Sequence, residues 1–123
     1  MTHSELLSTI LRTVRADGAV VALEQLRATR PAFFVTADRD GKPFATYHDT
    51  RAVFFVWAID RLVAGGLSDF GVLWHPLLDT RSPHVWWSVA TLASAEAAEH
   101  FVPSELAREG EPQPVEPTAL LAA

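Results

Sequence analysis

The densest polar group of the chain is Tyr47-His48-Asp49, set in an aromatic stretch, and these are side-chain types that move protons. A carboxylate beside an imidazole favours its charged form, and a phenol passes a proton on. In an extended strand residues 47 and 48 point to opposite faces, so the three meet at one substrate only if the chain turns there. The structural alternative has Tyr47 packing, His48 at a strand end and Asp49 capping the helix that follows.

A second constellation is His75 and His84, which flank a loop that carries Pro76, Asp79, Arg81 and Pro83. Two imidazoles and a carboxylate suit zinc or non-haem iron. The spacing matches no ligand motif, and neither histidine has a partner at helical spacing, so no metal is assigned. His3 and His100 lie in terminal segments and carry no argument. For an enzyme, Tyr47, His48, Asp49, His75 and His84 are the groups expected to transfer protons or orient a ligand in an aromatic-lined pocket.

Eleven of the twelve aromatic residues fall between Phe33 and Trp87. In a strand, Trp86 and Trp87 point one ring to each face, so either the strand is buried on both sides or one indole is left outside. An indole kept in water is enriched at binding hot spots. Trp86 and Trp87, with Trp74 and Trp57, are therefore the candidate binding residues.

These side chains need elements to position them. Leu6, Leu7, Ile10, Leu11 and Val14 form a helical stripe behind a Thr2/Glu5 capping pair, which predicts a helix from about Ser4 to Ala16. Asp17-Gly18 stops it, and Ala19 to Thr29 reads as a second helix that Pro31 ends. Phe33 to Thr36 and Phe44 to Tyr47 flank Asp38-Arg39-Asp40-Gly41 and read as a hairpin. Val35 to Phe44, with Asp40-Gly41-Lys42-Pro43 at its turn, resembles the first hairpin of flavin split-barrel oxidoreductases. A helix directly after it departs from that family's barrel, and no flavin or other cofactor is assigned.

Thr50 to Ala64 suits either a buried strand or a helix, and its caps, Asp49-Thr50 before and Gly65-Gly66 after, favour a buried helix. Gly65-Gly66 with Ser68 and Gly71 lacks the lysine-bearing pattern of a phosphate loop. Phe70 to His75 and His84 to Leu92 have the aromatic and β-branched content of strands, and Ser94 caps a short helix through about Phe101. From Pro103 onward, prolines and glutamates leave little to bury except Leu120-Leu121, which predicts a flexible tail.

Composition bounds the function. The net charge of −5 is carried after Ser94, where six glutamates face Arg108, while the preceding part is balanced. No basic patch is available for phosphates, so nucleic acid is not an expected direct partner. The absence of cysteine excludes disulfides, thiolate catalysis and Cys-ligated metals. The longest apolar run, Ala52 to Ile59, is far short of the ~18 residues that span a bilayer, so no membrane role is expected and a cytoplasmic location is. Arginine outnumbers lysine nine to one, a bias of GC-rich bacterial or phage genomes.

The expected architecture is α+β: two N-terminal helices and a buried third packed on a small, mainly antiparallel sheet. Residues 1–102 would form one globular domain and 103–123 a flexible acidic tail. The expected function is a small interaction module, a regulator or inhibitor that binds a protein partner or itself, with a homodimer as one form. The alternative is the small enzyme or ligand-binding protein described above.

Overall fold

The computed structural model describes residues 2–37 and 43–118. The turn expected at Asp38 to Gly41 and the Leu120-Leu121 pair lie outside the described residues. Helix α1 spans His3–Asp17, and the Thr2 hydroxyl accepts from the Glu5 N–H at 3.1 Å to close its first turn. Its stripe of Leu6, Leu7, Ile10, Leu11 and Val14 is buried. A single residue, Gly18, joins it to α2, Ala19–Thr29; its φ of 94° is accessible to glycine and costly for any side chain. Such a short link forces α1 and α2 to pack against each other.

Helix α3, Asp49–Ala64, is the centre of the molecule. Ala52, Val53, Phe54, Phe55 and Val56 all have 0% exposure, so five successive residues are enclosed on every side. A helix apolar all round must be covered all round. α1 and α2 cover one part of it, and the shorter helices that follow cover the rest.

The expected α+β architecture is overturned, because the sheet on which the helices were to pack does not form. Strand pairing among the described residues is confined to β1, Phe34–Ala37, and β2, Pro43–Thr46, antiparallel with Phe34 opposite Thr46 and Ala37 opposite Pro43. Phe70 to His75, expected as a strand, is instead α4, Asp69–Leu73, started by the Ser68 hydroxyl accepting from the Gly71 N–H at 3.2 Å. His84 to Leu92, also expected as a strand, divides at Trp86. A 3₁₀ turn, Ser82–Val85, opens with Pro83, and α5, Val89–Leu92, follows under a Ser88 cap on the Thr91 N–H at 3.2 Å.

The physical reason is local. Serine caps and an early proline satisfy or dispense with the orphan donors of a helical turn, whereas β-branched and aromatic content has no fixed meaning without a neighbouring strand. Helix α6, Ala95–Glu99, repeats the device with Ser94 on the Ala97 N–H.

Beyond α6 the described chain through Thr118 has no helix or strand, yet it returns to the body repeatedly. Trp87 Nε1 donates to the Val102 carbonyl at 3.0 Å, the Leu106 N–H to the Trp86 carbonyl at 3.0 Å, and the Ser88 N–H to the Glu105 carboxylate at 2.8 Å. Farther on, the Glu116 carboxylate pairs with Arg27 of α2.

Candidate functional site

The first turn of α3 gathers the polar triad singled out by sequence. His48, rather than Asp49, is the N-cap: its Nδ1 accepts from the Arg51 N–H at 3.2 Å. Its Nε2 lies 2.8 Å from the Leu92 carbonyl, which can only accept, so the ring is the neutral Nε2–H tautomer. Burial lowers the His48 pKa, with the charge of Arg51 acting in the same direction and the bond to Leu92 opposing it. Protonation would also place a hydrogen on the atom that caps α3.

Asp49 is buried, and its carboxylate is met from three directions. Arg27 of α2 donates Nε and Nη2 at 3.0 and 2.8 Å, the Tyr47 hydroxyl donates at 2.7 Å, and the backbone of Phe101 also favours its charged form. Burial alone would push this carboxyl up, but the bonds from Arg27 and Tyr47 outweigh it and hold the group below the usual carboxylate range. Burial, reinforced by the bond to Asp49, raises the Tyr47 phenol well above its ordinary value. The same ring lies face-on to the Arg30 guanidinium, 4.6 Å from its centroid. Thr50 completes the turn: its hydroxyl donates to the His100 carbonyl at 3.2 Å and accepts from the Val102 N–H at 3.2 Å.

Tyr47 and Asp49 therefore do converge, but on each other and on Arg27. A phenol that holds its proton and a carboxylate whose lone pairs are taken form a fastening rather than an acid–base pair. It ties together α2, the end of β2, α3, α5 and the segment after α6. Arg27 was not among the residues singled out by sequence, because nothing local links it to a carboxylate 22 positions on.

His75 and His84 are not part of this group. His75 caps the 3₁₀ turn Pro76–Leu78 through Nδ1 and the Leu77 N–H at 3.1 Å, and His84 is exposed at the end of the next turn. Asp79, between them, accepts from the Arg81 N–H at 2.8 Å. Among the described residues no three His, Asp or Glu side chains are grouped as metal ligands would be.

Three of the four tryptophans meet around Phe54. Trp87 is fully buried, its ring 6.1 Å from Phe54 and 6.2 Å from Phe101. Trp86 is half-buried, 5.3 Å from Phe54 and 5.7 Å from Trp57, and Arg61 covers Trp57 at 5.2 Å.

Trp74 stands apart. It is 76% exposed, and Phe70, one helical turn earlier on α4, is 73% exposed; their rings are 6.0 Å apart and form one aromatic ridge. Beside it is a recess of ≈ 250 Å³ lined by Ser4, Leu7, Ser8, Leu73 and Trp74. A larger apolar groove of ≈ 470 Å³ lies between α1 and α2, with Ile10, Ala22, Leu26 and Pro31 in its wall. No helix among the described residues is long and apolar enough to cross a membrane. No protein-family model, no curated protein and no solved structure matches the chain.

Proposed function

We propose that this chain is a small interaction module that presents the Phe70–Trp74 ridge of α4 to another protein and acts as a cytoplasmic regulator or inhibitor through that contact. The observation that carries the reading is the exposure of two large adjacent rings, 73% and 76%, in a chain that encloses Phe54, Phe55 and Trp87 completely. Paired rings in water are the kind of anchor on which interfaces concentrate their energy, and the recess beside them accepts an apolar side chain in return. The polar cluster at the start of α3 supports the same reading, since its groups are engaged in holding five segments in place.

The test is a photo-crosslinking amino acid placed at position 70 or 74 in the full chain, expressed in its own host cells, with position 99 as the exposed control. Ultraviolet light should give a covalent adduct with a polypeptide from positions 70 and 74 and none from 99. Absence of any polypeptide adduct at both ridge positions refutes the proposal.

A further inference from the structure

We infer that the protein met by the ridge is a second copy of this chain, in a two-fold dimer that sets α1 antiparallel to α1 of the other copy; the inference rests on the reading of Phe70 and Trp74 as a contact surface. α4 runs back alongside α1. Asp69 pairs with Arg15 in the last turn of α1, while Leu73 and Trp74 line a recess with Ser4, Leu7 and Ser8 near its start. Ser4 and Ser8 also border a shallow depression on their other side, lined by Glu5, Thr9 and Arg12. The outward face of α1 is thus a floor of small side chains with an aromatic wall along one edge and an acid and a base along the other.

Glu5 and Arg12 are seven positions apart, two turns of helix or about 10.5 Å along the axis, and their charges are opposite. Among the described residues neither has an ion-pair partner. A two-fold axis crossing α1 near Ser8 sets Glu5 opposite Arg12 of the second copy and Arg12 opposite its Glu5, both in one operation. The same rotation keeps the aromatic wall on its own edge and reverses it, so that Phe70 faces Trp74 of the second copy and Trp74 faces its Phe70. That reciprocity is what an isologous contact requires, residue i on j and j on i. A face with two like charges in these places would repel its own copy. The serine floor lets the helix axes approach closely, and antiparallel α1 helices place opposite dipole ends together.

The experiment is sedimentation of the purified full chain over a concentration series, with circular-dichroism melts to show that each variant is folded. The wild type should be a dimer. Trp74→Ala should raise its dissociation constant by about 30-fold or more, as loss of an interface anchor does, and its melt should match the wild type at dilutions where both are monomeric. Glu5→Arg alone and Arg12→Glu alone should each weaken the dimer, and the two together should restore it, because the exchanged pair is again complementary across the axis. A wild type that stays monomeric at every attainable concentration overturns the inference, as does a double variant no better than the singles. The crosslinks at positions 70 and 74 separate this failure from that of the underlying reading: adducts with a different polypeptide leave the contact surface standing and remove only the self-pairing.

Discussion

Replacing Arg27 by methionine leaves the Asp49 carboxylate buried without its cation, and the consequence has a definite size and sign. Removing one partner of a buried ion pair costs ~3–5 kcal/mol. The Arg27 side chain is 37% exposed, so solvent already screens part of the interaction, and a loss of about 2–3 kcal/mol is expected. With a urea slope of ~1.5 kcal/mol per molar for a chain of this size, the unfolding midpoint should fall by about 1.3–2 M at neutral pH. The pH dependence is the sharper part. In the wild type the Asp49 pKa is depressed, so its contribution is present above the ordinary carboxylate value of about 4 and is lost as pH falls through the folded-state value. In Arg27→Met the cation is gone and burial pushes the same carboxyl up. Neutral pH then penalises the variant most, and acid relieves it. The midpoint difference between wild type and variant should therefore shrink between about pH 7 and pH 4.5. Adding Asp49→Asn to Arg27→Met should recover part of the loss, since the orphaned charge is removed. A deficit independent of pH, or no deficit, would mean that Arg27 does not neutralise a buried Asp49 carboxylate.

Other outcomes follow from the same geometry. His48 titrates below the ordinary histidine value of about 6.5, so the unfolded chain binds more protons between the two values and stability should decline as pH falls through that interval, by up to ~1.4 kcal/mol per unit; His48→Asn, which retains a cap acceptor, should flatten this slope in urea titrations. Thr50→Val should cost ~1–3 kcal/mol, because it strands the His100 carbonyl and the Val102 N–H, and amide exchange at Val102 should quicken. Trp87→Ala should cost ~3–5 kcal/mol through the cavity it leaves, whereas Trp74→Ala should alter the thermal midpoint of an isolated monomer hardly at all. Equal midpoints for the two tryptophan variants would contradict the placement of both rings.

What the residues made legible, and what they concealed, divides along the line between local and long-range information. The stripe of α1, the Gly18 junction and the Gly65 stop of α3 are local signals, and all three appear where their side chains dictate, whereas the start of α3 is capped by His48 and not by Asp49. The strands assigned to residues 70–75 and 84–92 rested on aromatic and β-branched content, which records a half-buried surface and not a backbone conformation. The correcting signal was present in Ser68 and Ser88, each placed to cap a turn, and in the i, i+4 spacing of Phe70 and Trp74, which puts both rings on one helical face. Arg27 had no such signal. Its pairing with Asp49 exists only because α2 and the start of α3 pack together, and the return of the chain at Glu116 is equally non-local. The triad Tyr47-His48-Asp49 is exceptional for its density of polar groups, but density does not distinguish a fastening from a catalytic site until the partners are known.

If the ridge is an interface, Trp74 is covered by protein when the chain is at work, whereas Trp87 is covered by the fold itself. Radical footprinting read by mass spectrometry tests it directly, on the full chain inside its own cells and again after purification and high dilution. Trp74 should be protected in cells and oxidised readily on dilution, with Trp87 unlabelled in both. Equal, rapid oxidation of Trp74 in both settings would contradict it.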